Sequence, residues 1–126
     1  MTWLPLINTP PYPDYTSGAT NLTGAFTRSL RRFFGKDTLN FTVTSNAPQL
    51  GAPDDPRRTR NYTRISDLAD DVVLARILLG IHFRFADNDA RRQGESVADW
   101  AFKHFLRPKH DRHHGHHHWD GDDCDR

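Results

Sequence analysis

The pattern of apolar and polar positions divides the chain into an arm, three helices and a short ribbon. Residues 1–18 contain Pro5, Pro10, Pro11 and Pro13. Proline fixes φ and donates no N–H, so this stretch predicts an extended or turning arm. From Ala19 to Phe34, apolar residues recur at threes and fours: Leu22, Ala25, Phe26, Leu30, Phe33 and Phe34. That spacing predicts a helix, and Gly35 suits the left-handed position after its end. Asn40–Thr44 alternates and is β-branched, which predicts a strand, with Asn61–Thr63 as its partner. The segment between them, 46–60, is rich in turn formers and predicts an exposed, mobile loop.

Ser66 is a good N-cap, with Asp67, Asp70 and Asp71 near the positive end of the helix that follows. That second helix runs through Leu68, Val72, Val73, Ala75, Ile77, Leu78 and Leu79 to Gly80. Apolar residues cover most of its circumference, which predicts burial on more than one side. Asp87 can cap a third helix reaching about Leu106, with the stripe Ala90, Gly94, Val97, Ala98, Ala101 and Phe105, and Pro108 stops it. The expected fold is mainly α, with one small β-ribbon between helices.

Composition changes this picture in one place. Of 126 residues, 36% are hydrophobic, which is low for a self-contained globule. The deficit is concentrated in 107–126, a His- and Asp-rich tail holding six of the eight histidines. The remaining 1–106 carry 13 basic and 11 acidic groups, a balance that predicts no general attraction to nucleic acid or anionic membrane. No apolar run approaches the roughly 18 residues of a membrane span, and the start lacks a signal-peptide pattern. The lone Cys124 excludes a disulfide framework. The Asn-x-Thr sequons at Asn21, Asn40 and Asn61 read as chance.

Two segments carry candidate chemistry. Arg76 lies inside an otherwise apolar helix, where an unpaired guanidinium is expensive, so it needs an anion. His82 follows six residues later and, on a continuous helix, would point about 120° away. If the helix stops at Gly80, the chain can turn and bring both side chains to one pocket. The alternative is that Arg76 snorkels or pairs with Asp71, with His82 an ordinary half-buried histidine. Ser17-Gly18 at the start of the first helix offers a hydroxyl and free N–H groups to an anion, though it also reads as plain capping.

Taken together, the segments resemble the vanadium-dependent haloperoxidases and the related type 2 phosphatidic acid phosphatases and bacterial acid phosphatases. The resemblance rests on Arg76, five residues, then His82, with Ala75 before and Gly80-Ile81-His82-Phe83-Arg84-Phe85 across the turn. Pro13-Asp14-Tyr15-Thr16-Ser17-Gly18 resembles a second motif, and the likeness continues through Arg91-Arg92-Gln93-Gly94 and Val97-Ala98-Asp99-Trp100. It implies a partial helical bundle of the haloperoxidase/acid phosphatase type spanning 19–106. It also implies an oxyanion site for vanadate or phosphate, with His82 as the vanadium ligand or as a nucleophile on phosphorus. Arg76 would hold equatorial oxygens, and Ser17 and Gly18 a further one. The implied partners are small molecules, halide and peroxide or a phosphate ester. Arg84 is expected to pair with Asp87.

Two departures bear on activity. Ala19 stands where the family has an acid–base histidine, and the family's first motif, a Lys and an Arg-Pro on an upstream helix, has no counterpart before Arg76. The chain therefore reads as a C-terminal portion of such a domain, either missing an N-terminal part or completed by oligomerisation. A non-catalytic interaction or structural remnant is the rival reading. In the tail, His110, His113, His114 and His116–His118 with Asp120, Asp122, Asp123 and Asp125 suit adventitious binding of a divalent metal.

Overall fold

A computed structural model describes residues 4–46 and 55–105. The expected mobility of the loop centre and metal binding by the tail lie outside the described residues. Three helices, α1 (Gly18–Phe34), α2 (Ile65–Leu78) and α3 (Arg84–His104), are joined by a two-stranded ribbon, β1 (Thr38–Thr44) and β2 (Thr59–Arg64). The fold is mainly α with a small antiparallel sheet, as the sequence pattern implies. Among the described residues, no helix is long and apolar enough to cross a membrane.

Helix α1 ends where expected, with Gly35 left-handed at φ 66°. Its inward face is not the expected one. Thr20, Gly24 and Thr27 are buried, while Leu22, Phe26 and Phe33 are exposed. The reason is close approach: α1 packs chiefly on α3 through Gly24 and through Gly94 of α3, where a larger side chain would strike backbone. Small residues, not the apolar stripe, set this contact. On α3 the buried positions are correspondingly small, Ala90, Gly94 and Ala98, whereas Val97 and Phe105 are exposed.

The ribbon pairs Phe41 with Tyr62, Thr42 with Asn61 and Val43 with Arg60, with an irregularity between Thr38 and Phe41. The Phe41 and Tyr62 rings stack across the strands, centroids 5.1 Å apart. A 3₁₀ turn at Pro56–Arg58, capped by Asp55, leads into β2.

Two helix starts differ from expectation. Ser66 lies inside the first turn of α2, after the N-cap residue Arg64. Asp37, from the end of the α1–β1 connection, does the capping from outside. Its carboxylate accepts from Ser66 N (3.0 Å) and Ser66 Oγ (2.7 Å), and its carbonyl accepts from Ile65 N. Phe83, not Asp87, is the N-cap residue of α3, and Asp87 sits fully buried in the first turn. Helix α2 is also less enclosed than predicted, since Leu74 and Leu78 remain exposed in this chain.

Asp99 of α3 ties the far end of α1 in place. It accepts from Arg28 through two 2.8 Å bonds and from Arg32 through one of 2.7 Å. The hydrogen bonds from both arginines hold its carboxyl well below the usual carboxylate range. A depressed folded-state value means the stabilisation is present above the ordinary value of 3.8 and is lost as pH falls through the folded one. The contribution of Asp99 should therefore be constant from pH 7 to about 5 and be lost below about 4. Asp99→Asn should cost roughly 1–2 kcal/mol at pH 7 and flatten that acid limb, as urea titrations across pH would record.

Candidate functional site

The turn after α2 builds the site. The helix stops at Leu78, and Gly80 takes φ 75°, a left-handed conformation that glycine adopts without a Cβ clash. The chain then reverses, so His82 points back at the helix it has just left. Arg76 Nη2 lies 2.8 Å from His82 Nε2. Asp71 is not the partner of Arg76, because it pairs with Arg60 at 2.8 Å. Nor is His82 half-buried: its side chain is 1% exposed.

The arm supplies the rest. Leu6 N donates to Leu79 O (3.0 Å), laying residues 4–17 along the end of α2. Tyr12 OH accepts from the same Arg76 Nη2 at 2.6 Å, and its ring stacks on His82 with centroids 6.1 Å apart. Asp14 Oδ1 lies 2.5 Å from His82 Nδ1 and 3.3 Å from Phe83 N. A guanidinium has no acceptor, so Nε2 must accept from Arg76. The imidazole is then neutral, with its proton on Nδ1 and donated to Asp14. Around this group Tyr15 stacks on Phe85, and Phe83 on Phe85, forming an aromatic wall.

Arg76 Nε is buried without an acceptor. A guanidinium with one nitrogen shared between a phenol and an imidazole and another unpaired carries unused capacity for an oxyanion.

Ser17 and Gly18 stand at the start of α1. Ser17 is fully buried and makes no side-chain cap. Its hydroxyl donates to Thr20 Oγ1 (3.1 Å), which donates to Asp87 Oδ1 (2.7 Å). Gly18 is exposed and faces open space, and the first turn of α1 has no acidic residue. Arg84 does not pair with Asp87: it is exposed, while the Asp87 carboxylate is buried with Oδ2 unbonded. Tyr12 and Asp14 escaped the sequence analysis as site residues. The signals were the prolines that flank Tyr12 and precede Asp14, and the place of Asp14 within Pro13–Gly18.

Among the described residues no group of three or more His, Cys, Asp or Glu could hold a metal ion by itself. A separate open cleft of about 290 Å³ lies at the other end of α1, lined by Arg28, Arg31, Arg32, Gly35, Lys36 and Asp37. Its three arginines are paired with Asp99 and Asp37.

Known proteins share this arrangement of helices. The family model described as the VCPO second helical-bundle domain matches residues 1–110. The crystal structure of an apo-type bacterial vanadium-dependent chloroperoxidase superposes with a TM-score of 0.63 at 24% identity, covering 80% of this chain and 23% of that one. A holo-type structure gives 0.63 at 23% identity, with 80% and 22% covered. A bacterial vanadium-dependent iodoperoxidase gives 0.63 at 30% identity, with 80% and 23% covered. The chain thus spans less than a quarter of the length of these solved proteins. No curated protein matches it.

Proposed function

Because the chain belongs to the VCPO second helical-bundle domain family, we propose that it forms part of an oxyanion site that takes vanadate and serves peroxide-dependent halide oxidation. One observation carries the reading: the buried Arg76 Nε lacks an acceptor immediately beside His82, whose Nε2 lone pair is held only by the same guanidinium. These groups fit a tetrahedral or trigonal oxyanion. Arg76 would bind two oxygens with its planar fork, and His82 Nε2 would meet the central atom. The free N–H groups of the first turn of α1, at Gly18, would hold a third oxygen at the positive end of the helix dipole. Ser17 would join them by turning its hydroxyl proton from Thr20 to that oxygen.

When bound, vanadate supplies the centre at which hydrogen peroxide is activated toward halide. This chain's own residues bind and orient. Burial of His82 keeps bulk water from its ring, on which the Tyr12 ring stacks. With alanine at position 19, no imidazole stands at the head of α1 to move a proton there. General acid–base groups contribute typically 10²–10⁴-fold, so turnover by this chain should be slow by that order even where vanadate binds.

Vanadium-51 NMR tests the reading. Titrating the protein into orthovanadate should broaden or remove the free-ion signal with a one-to-one endpoint, and phosphate, which shares its tetrahedral shape, should compete. A free-ion signal that persists at excess protein would overturn it.

A further inference from the structure

The carboxylate that meets His82 is not the one nearest to it in sequence. Asp87 is the nearer in sequence, five residues on. Its carboxylate turns instead toward α1 and accepts from Thr20. The partner of His82 is Asp14, 68 residues away on the arm. We infer that Asp14 is a positioning residue: it fixes the His82 imidazole with its proton on Nδ1, leaving Nε2 as the nitrogen that engages an oxyanion's central atom.

The two bonds made by the ring have different futures. The contact between Arg76 Nη2 and Nε2 occupies the ring's lone pair, so it must break before Nε2 engages an anion, whereas Arg76 Nε has no partner to give up. The bond to Asp14 uses the opposite edge of the ring and can persist. Once Arg76 is drawn to oxygens, Asp14 alone still dictates which nitrogen is protonated and where the ring points. A carboxylate accepting from the far nitrogen also raises the basicity of the near one. The same oxygen of Asp14 accepts from Phe83 N, which ties the carboxylate to the backbone of the turn that carries His82.

The arm is suited to this task. Pro13 fixes φ immediately before Asp14 and restricts Tyr12 to extended conformations, while Pro10 and Pro11 stiffen the approach. Little conformational freedom remains to be lost when Asp14 docks. Its side chain is 30% exposed, so it reaches His82 from the solvent side of a ring that is otherwise enclosed.

The inference about ligand engagement rests on the oxyanion reading, and the test separates the two. Proton NMR of the full chain without vanadate should show a far-downfield imidazole N–H assigned to His82 Nδ1. Asp14→Ala should abolish that resonance and weaken vanadate binding about 10–100-fold, as loss of such outer partners does at ligand histidines. Asp14→Asn keeps an acceptor oxygen without the charge, so it should retain the resonance, move it upfield and lose less affinity. A resonance that survives in Asp14→Ala, or vanadate affinity within twofold of the parent, would overturn the inference. If Asp14→Ala fails to fold, Asp14→Asn decides alone: an unmoved resonance together with unchanged affinity contradicts it. Should the parent protein bind no vanadate while the resonance behaves as described, the functional reading falls and the Asp14–His82 pairing stands.

Discussion

Gly94→Ala is expected to destabilise this chain by about 3 kcal/mol or more. A Cβ at that position would lie 2.0 Å from Asn21 O, 2.8 Å from Ala25 N and 2.9 Å from Asn21 C. All three atoms are backbone of α1, so no side-chain rotation relieves the collision. The helices must separate instead, and they cannot do so locally. One turn away across the same interface, the site of a Gly24 Cβ lies 2.7 Å from Arg91 O. Separation would also stretch the paired bonds of Arg28 to Asp99 and of Asn21 and Thr16 to Gln93. Overpacking a close interface usually costs 1–3 kcal/mol, and more where only backbone can move. Against a typical total of roughly 5–15 kcal/mol, such a loss shifts the urea midpoint far to the left. A Gly94→Ala midpoint indistinguishable from the parent would contradict the packing described here.

The second large effect concerns Arg76. Arg76→Ala should weaken vanadate binding by roughly 10²–10⁴-fold in the vanadium-51 titration, since two charge-assisted bonds at about 1.5–3 kcal/mol each are lost. Arg76→Lys should recover little of this. Lysine keeps the charge but not the planar fork that meets two oxygens at once. An ammonium placed where Nη2 stands could reach both His82 and Tyr12, but it leaves no second nitrogen in place of Nε to hold another oxygen. If Arg76→Lys binds vanadate as the parent does, the guanidinium is not holding two oxygens.

Much of the fold could be read directly from residue spacing. The turn at Gly35, the ends of α1 and the pairing of the two strands follow from local chemistry, where one or two residue types decide the backbone. The failures have a common cause. The stripe of Leu22, Phe26 and Phe33 marks a helix correctly, yet it does not mark the buried face, because glycine and threonine permit a closer approach to α3 than leucine or phenylalanine would. Asp87 and Ser66 look like caps in sequence, but burial gives Asp87 to Thr20 and places Ser66 under Asp37. Capping preferences are local, and tertiary partners override them.

The site divides in the same way. Arg76 and His82 could be connected from their six-residue separation and the glycine between, which allows the reversal that a continuous helix forbids. Tyr12 and Asp14 could not. They come from an arm 64 and 68 residues distant in sequence, and no periodicity links a proline-rich arm to the end of a helix. Only the three-dimensional arrangement shows that Tyr12 and Asp14 of the arm meet Arg76 and His82.

The central claim is that His82 Nε2 is the protein nitrogen that engages the bound oxyanion. Vanadium K-edge X-ray absorption on the vanadate-loaded protein tests it most directly. The parent should show an imidazole signature in the coordination shell, including scattering from the outer ring atoms, that disappears in His82→Ala protein supplied with the same vanadate. An oxygen-only shell in the parent, or an imidazole signature that survives His82→Ala, would contradict it.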